Sequence, residues 1–577
     1  MVDTRGSLAR SLAPASRLFQ FRPDSTNGEI AAAGRSGGHA PPVVAGDTIY
    51  ALSSGRGRAG IAIIRVSGPS CLEVYRALCP GKPLPKPRYA AVRTLLDPDP
   101  SGPAPAVLDS EALVLYFPAP KTVTGEDVLE LHVHGGPAVV RAVLGAIPRS
   151  IPIPAPGVGA GPGASCGRIR YAEPGEFTRR AFLHDRLDLA QAEALGDTLA
   201  AETEQQRRAA VRGASGTLGR TYEGWRRQLL LARGEIEALI DFSEDQHFDE
   251  SQAELLGGVL RQVEAILCDI GLHERGAERS ELLRSGIRIA LVGPPNAGKS
   301  SLMNLVVGRE ASIVSGEAGT TRDIVEASLD IRGYLCSFAD TAGFRSEGHG
   351  PIGAVEREGI RRARQKAEDA HVVVALASIE DGPAGRGVVR YDEETLRLAA
   401  EAPACLVVVN KRDAAGPSAA DLEATMSRFR EVLSGISPRL GRAEVLSISC
   451  REAQVQSRPG DDDDAATAAA EGSLPDPGGL HAVMDALGGS FSALTAMEPE
   501  QEDLLGVTAR QAQLLTKCRA HLEEFVAEAR SGGEDGADAD SVLAAEYLRY
   551  AADCLARMTG RGEAGDVEDV LGVVFEK

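Results

Sequence analysis

The stretch "IRIALVGPPNAGKSSLMNLVVG", Ile287 to Gly308, constrains the fold of this chain more than any other. An apolar run rich in β-branched residues, a glycine turn and a helix-forming run starting near Lys299 read as buried strand, phosphate-binding loop and helix. Gly293, Gly298, Lys299 and Ser300 meet the pattern G-x-x-x-x-G-K-[ST]. Backbone N–H groups of such a loop and helix start face phosphate oxygens, the lysine reaches the β/γ oxygens, and the serine hydroxyl ligates Mg²⁺. Nucleotide contacts are therefore expected at Gly293, Asn296, Ala297, Gly298, Lys299, Ser300 and Ser301. A strand that delivers its loop to a helix N-terminus commits this part of the chain to an α/β fold.

The downstream elements arrive in the order a nucleotide site needs. "GEAGTTRD" offers Thr320 and Thr321, the latter a second hydroxyl for the metal. "DTAG", Asp340, Thr341, Ala342 and Gly343, follows the apolar run "YLCSFA", which puts Asp340 at a strand end in the metal's outer shell and Gly343 near the γ-phosphate. "VVVNKRD" closes a β-branched strand with Asn410, Lys411 and Asp413. The Asp413 carboxylate suits the N1–H and exocyclic amine of guanine, whereas adenine would leave it facing an acceptor; sites of this kind discriminate by about 10⁴ or more. The nucleotide read from this pattern is GTP. Ser449 and Cys450 in "VLSISC" take the place of the last base-contacting loop, where a main-chain amide meets the guanine oxygen.

One expected group is missing. Where a Ras-like switch carries a glutamine that orients the attacking water, this chain has Phe344. An apolar side chain cannot polarise water, and Glu356 in "GAVEREGI" is the candidate replacement, set against a plain solvated helix-face carboxylate. With Lys299, Thr321 and Gly343 it completes the expected catalytic set. Asn296 occupies a position the loop pattern leaves free. Its amide oxygen could help hold a monovalent cation between the β- and γ-phosphates, where an arginine finger stands in other enzymes; the alternative is a loop asparagine that bonds neighbouring backbone.

At 577 residues the chain is too long for one core and divides into three or four domains of about 150 residues each. A net charge of -20 argues against nucleic-acid binding through a basic surface of the chain's own, so any RNA contact is local or supplied by a partner. The 9 cysteines include no C-x-x-C pair and are odd in number, which indicates neither a zinc site nor a disulfide frame. No apolar run approaches the roughly 18 residues that would span a bilayer. "MVDTRGSLARSLAPASRLFQFR" carries Arg5, Arg10, Arg17 and Arg22 with Asp3 as its only acid, the composition of an organellar transit peptide or of a disordered tail. Residues 147–167, rich in Pro and Gly, and residues 457–479, with the run Asp461 to Asp464, read as surface loops without chemistry. From "LDLAQAEALGDTLAAETEQQRRAAVRGASGTLG" through "EIEALIDF", apolar residues recur at helical spacing, Leu189, Ala192, Leu195 and Leu199 among them, and the same period returns after about Pro499.

Together with "GRAGIAIIRVSG", "TGEDVLELHVHGGP" and "EPGEFTRRAFLHDRLDLAQAEA", these motifs resemble the MnmE (TrmE) family of tRNA-modification GTPases in its organellar form, from about Asp47 to Lys577. The resemblance implies a multidomain α/β plus α fold. It places a disordered or transit segment at 1–45 and an α+β, tetrahydrofolate-binding-like dimerisation domain at 46–184. A helical domain at 185–284 and 496–577 is interrupted by an inserted Ras-like G domain at 285–495. It further implies Mg²⁺ at Ser300 and Thr321, and potassium held by Asn296, Ser315, Glu317 and Thr320 between G domains that dimerise across their nucleotide faces. The glutamate matching Glu356 positions the water. Arg65, Glu130 and Arg186 match folate contacts, for a 5-formyl or 5,10-methylene tetrahydrofolate; a carboxylate suits the donor edge of a pterin and cations suit the glutamate tail.

Read without the family, those three are charged residues near element ends. His132 and His134 alternate on one strand face, and with no third ligand nearby a structural role is expected of them. The family acts on carbon five of the wobble uridine of certain tRNAs, as a homodimer with an MnmG (GidA)-type flavoprotein that supplies the FAD and much of the tRNA contact, here in the mitochondrial matrix. Family members carry a C-x-G-K motif just after the segment matching "VEDVLGVVFEK", and the sequence given ends at Lys577 before it. The rival reading is a ribosome-assembly GTPase acting as an RNA-binding switch, which calls for an RNA-binding appendage; no KH-type GXXG loop or basic tail is evident.

Overall fold

The computed structural model describes residues 46–99, 105–151, 168–242, 252–310, 312–315, 328–339, 365, 367–382, 387–415, 418–455, 476–531 and 540–561. The expectations for 1–45, the acidic run 461–464, Glu317, Thr320, Thr321, Asp340, Thr341, Ala342, Gly343, Phe344 and Glu356 lie outside those residues.

The N-terminal part is a 6-stranded sheet in the order β3-β4-β5-β2-β1-β6. Its strands are β1 (Thr48–Leu52), β2 (Ile61–Ser67), β3 (Ala91–Leu96), β4 (Val107–Phe117), β5 (Val128–His134) and β6 (Ile169–Tyr171). β5 shows the period-2 alternation of a strand buried on one face: Leu129, Leu131 and Val133 enter the core under helices α1 (Cys71–Leu78) and α2 (Pro137–Ala146), while Glu130, His132 and His134 take the other face. The stretch read as a loop from residue 147 begins otherwise. Ile147–Ser150 is a 3-10 turn whose Ile147, the last residue before the prolines, is fully buried in this core against strands and helices distant in sequence.

Helices α3 (Glu176–Leu183), α4 (Leu189–Ala200), α5 (Glu204–Gly213), α6 (Thr217–Phe242) and α7 (Gln252–Ser285) follow. Asp188 and Thr203 start α4 and α5 with reciprocal capping boxes to Gln191 and Gln206. Leu189 and Ala192 are buried as their spacing requires, but Leu199 is 76% exposed. The apolar stripe ends a turn before the helix does, since α4 runs past the elements that cover it.

The second sheet has 8 strands, ordered β14-β13-β11-β7-β10-β9-β8 with β12 against β11. β7 (Ile287–Val292), β10 (Tyr334–Phe338), β11 (Val372–Asp381), β13 (Ala404–Asn410) and β14 (Val445–Ser447) are parallel neighbours. β8 (Ser312–Ser315) and β9 (Ser328–Ile331) add antiparallel edges, and β12 (Gly387–Arg390) is antiparallel to β11. The central strands β11 and β13 are near-continuous apolar runs, as strands covered on both faces must be. Helices α8 (Lys299–Leu305), α9 (Glu393–Glu401), α10 (Ala419–Ile436), α11 (Pro438–Arg442), α12 (Cys450–Val455) and α13 (Leu480–Thr495) surround it.

After a 3-10 segment, Pro499–Gly506, the chain returns as α14 (Ala509–Ser531) and α15 (Ser541–Thr559). These share one apolar cluster with α6 and α7, so the helical part is built from two stretches of chain that flank the second sheet in sequence. Glu193 on α4 is 6% exposed and ties them polarly, accepting from Thr508 Oγ1 at 3.1 Å, Gln511 Nε2 at 2.7 Å and Arg510 Nε. Among the described residues no helix is long and apolar enough to cross a membrane.

Candidate functional site

The nucleotide loop sits at the C-terminal end of β7, where a parallel sheet presents its crevice. Gly293 lies at φ 144° and a Cβ there would stand 2.2 Å from the Leu376 carbonyl; Gly298 lies at φ 98° and a Cβ would meet Asn410 Nδ2 at 2.1 Å. Both glycines are thus fixed by backbone conformation and by close approach of β11 and β13. Asn296 also has a positive φ, 62°, a conformation asparagine tolerates better than most residues, so the bland explanation of its presence has a backbone basis. Its side chain is exposed, with no hydrogen bond to another described residue, and its amide is therefore available to a ligand as well. The Asn296 amide suits a hard cation, which takes oxygen ligands. Of the other expected potassium ligands Ser315 ends β8, and Glu317 and Thr320 are outside the described residues.

Lys299 is 6% exposed and folds back over its own loop, donating Nζ to the Gly293 and Pro294 carbonyls at 2.8 Å each. Burial pulls its pKa down from 10.5 to about 8, partly offset by Asp392. A phosphate at the loop would give that ammonium a charged partner in place of two carbonyls. Ser300 is exposed at the first turn of α8, open to a metal.

Asn410 joins the loop to the base-reading segments. It is 3% exposed; Nδ2 donates to the Ala297 carbonyl at 2.9 Å, while Oδ1 accepts from the N–H of Lys411 at 2.8 Å and of Cys450 at 3.2 Å. Lys411 turns through a left-handed conformation, φ 63°, that swings the chain from β13 toward Asp413. Asp413 Oδ1 accepts from Ser449 Oγ at 2.7 Å, which fixes its carboxylate, and the exposed Arg451 guanidinium lies 4.0 Å from Oδ2. Neither amide expected to meet the guanine oxygen is unspent: Ser449 N–H donates to Gly478 O at 2.9 Å and Cys450 N–H to Asn410. Gly478 belongs to the stretch read as a loop without chemistry, yet its last residues pin the base loop. The structure thus brings Gly293, Ala297, Gly298, Lys299, Asn410, Asp413, Ser449 and Cys450 into one unit. Asn410 as its hub was invisible in sequence, because its partners lie 113 and 40 residues away.

The folate candidates separate into a pair and a single. The register of β2 and β5 sets Arg65 opposite Glu130, and Arg65 Nε and Nη2 reach Glu130 Oε1 at 3.0 and 2.9 Å. The Arg65 guanidinium lies 5.8 Å from the Phe177 ring centre on α3. Arg186 instead donates Nε to the Thr122 carbonyl at 3.0 Å. A half-buried carboxylate with acceptor capacity to spare, beside a guanidinium, is a donor set that fits a pterin edge. His134 is held through Nδ1 by buried Asp109 at 3.0 Å, in the structural role expected of it. Among the described residues no group of three or more His, Cys, Asp or Glu could hold a metal ion.

Two family models match the chain: the N-terminus of the GTP-binding protein TrmE over residues 48–186 and the MnmE helical domain over residues 189–577. The mitochondrial 5-taurinomethyluridine-[tRNA] synthase subunit GTPB3 of Homo sapiens is 37% identical, covering 94% of this chain and 94% of that one. The tRNA modification GTPase MnmE of Parvibaculum lavamentivorans is 39% identical over 92% of this chain and 98% of its own. A solved elongation factor SelB of Methanococcus maripaludis overlaps 36% of this chain and 33% of its own at 14% identity and a TM-score of 0.21, too slight to bear on the fold. Matched along nearly its whole length by both models and by these relatives, the chain belongs to the MnmE (TrmE) family of tRNA modification GTPases.

Proposed function

We propose that the protein hydrolyses GTP in a potassium-dependent reaction and, with an MnmG-type flavoprotein that carries the FAD, modifies carbon five of the wobble uridine of certain tRNAs. The product is of the carboxymethylaminomethyl or taurinomethyl type, built with a one-carbon unit from a tetrahydrofolate. The single observation that carries the nucleotide half is the Asn410 junction, which ties the phosphate loop at Ala297 to the segment holding Asp413 and so sets the distance between phosphate and base contacts. Lys299 neutralises the β/γ oxygens, Ser300 and Thr321 supply hydroxyls for Mg²⁺, Asp340 belongs to the metal's outer shell, and Gly343 stands near the γ-phosphate. Asn296, Ser315, Glu317 and Thr320 are assigned to potassium, and Glu356 to the water. Potassium supplies the positive charge that an arginine finger provides elsewhere. Arg65, Glu130 and Arg186 are assigned to the folate.

The modification half is supported by the family, whose sequenced relatives named above act on tRNA. We assign the domains as 46–184, 185–284 with 496–577, and 285–495, with the protein a homodimer in the mitochondrial matrix. The net charge of -20 fits a protein that leaves much of the tRNA contact to its partner. The test is GTP turnover by the purified protein in equimolar KCl and NaCl, for wild type and Asn296→Ala. Turnover much faster in potassium, with that advantage lost in the variant, is expected. Equal rates in the two salts for the wild type would remove the potassium assignment.

A further inference from the structure

The Glu130 carboxylate is held from two sides. Both Arg65 N–H contacts fall on Oε1, and His132 Nε2 lies 3.3 Å from Oε2. The three side chains are half-buried, at 27%, 17% and 22% for Arg65, Glu130 and His132, so solvent screens these bonds only in part. Arg65 is itself kept from swinging away by the Phe177 ring.

His132 has no other evident reason to be polar. Directly across from it stand Ile63 on β2 and Leu113 on β4, and its one recorded polar partner among the described residues is Glu130. A space-filling residue between an isoleucine and a leucine would be apolar. A carboxylate offers about four lone-pair sites, and three N–H contacts leave roughly one, on Oε2.

We propose that His132 is a positioning residue of the folate site: in the tautomer that carries the proton on Nε2 it donates to Glu130 Oε2, fixing the carboxylate plane and leaving one defined lone pair for an N–H of the pterin ring. The inference rests on the reading of Glu130 as a folate contact. Arg65 fixes one oxygen and His132 the other, so neither alone suffices to set the plane. Asparagine or glutamine at position 132 keeps a donor; an apolar residue does not.

The test is calorimetric titration of the full-length protein with 5-formyltetrahydrofolate, for wild type, Glu130→Gln, His132→Leu and His132→Gln, with thermal unfolding of each. Loss of a hydrogen bond to a charged acceptor should weaken binding about tenfold in His132→Leu, and the donor amide of His132→Gln should bring it back to within about threefold of wild type. Thermal midpoints of the two His132 variants should agree, which separates positioning from packing. Wild-type affinity in His132→Leu, or equal weakening in both His132 variants, would overturn the assignment while leaving the folate reading intact if Glu130→Gln still loses binding. Unchanged affinity in Glu130→Gln would overturn the folate reading and this assignment with it.

Discussion

Asn410 shows how much of a nucleotide site can rest on one amide. Its replacement by alanine removes three hydrogen bonds and strands the Cys450 N–H and the Ala297 carbonyl in a place where water has little access. A single buried unsatisfied group costs about 1–3 kcal/mol. Asn410→Ala should therefore destabilise the second sheet by about 2–3 kcal/mol in urea unfolding and, because the phosphate loop loses its tie to the base loop, weaken binding of a fluorescent GDP analogue by more than that stability loss alone explains. Lys299 offers a pH test at the same scale. Its folded pKa of about 8 lies below the ordinary 10.5, so between those values the unfolded chain holds a proton that the folded one has released. The stability contribution therefore rises with pH across that window, and below about 8 the fold carries the full cost of a buried ammonium. In ligand-free protein, any stability advantage of Lys299→Met over wild type should shrink from pH 8 to pH 10 by up to ~1.4 kcal/mol per unit; an advantage constant with pH would contradict the burial seen here.

Among the elements, the pairing of α6 with α7 encloses a second titrating group. His273 is 7% exposed, in contact with Trp225 at 4.8 Å between ring centres and hydrogen-bonded through Nδ1 to Tyr222 at 3.2 Å. Burial pushes its pKa down from 6.5 to about 4. The neutral ring is fully accommodated above pH 6.5. As pH falls from there toward 4 the unfolded chain takes a proton that the folded one refuses, and stability drops by up to ~3 kcal/mol over the window. His273→Asn should flatten that acid limb in urea unfolding at pH 7 and pH 4.5. Glu193 makes a comparable test of the joint between α4 and α14: Glu193→Ala leaves Arg510 beside a lost partner and should cost about 3–5 kcal/mol, against a smaller loss for Glu193→Gln. Elements of this kind were only half legible in sequence. The strand, loop and helix at 287–305 and the strand before Asn410 announce themselves because local pattern and local structure coincide there. Ile147, Leu199 and Gly478 did not, since what buries or exposes them lies elsewhere in the chain. The same holds for the Arg65–Glu130 pair, whose two residues were singled out separately but whose pairing needed the β2–β5 register.

At the scale of the whole molecule, the second sheet meets the helices through the first turn of α5. Gln205 N–H donates to the Gly333 carbonyl at 3.1 Å, and Gly333 is the turn of the β9–β10 hairpin, which in sequence lies between "GEAGTTRD" and "DTAG". The neighbouring Gln206 donates Nε2 to the Arg284 carbonyl at 3.2 Å, at the end of α7 just before β7 leads into the phosphate loop. Arg284 in turn reaches Asp197 on α4 at 2.8 Å. Ala209, Leu283 and Leu505 from the helical part lie in the same apolar cluster as Ile287, Ile331 and Tyr334 of the sheet, so the junction is packed as well as hydrogen-bonded. One helical turn therefore touches both the hairpin between the two switch motifs and the end of the helix that leads into the strand carrying the phosphate loop. A shift of either on nucleotide binding would load the same hydrogen bonds. Amide hydrogen exchange should show residues 204–213 changing protection between the GDP state and a transition-state-analogue state in potassium. Gln206→Leu, which removes the side-chain half of the capping box and the tie to Arg284, should reduce that change while GTP turnover stays within about twofold of wild type. Exchange in α5 indifferent to nucleotide would mean that the sheet and the helices communicate elsewhere.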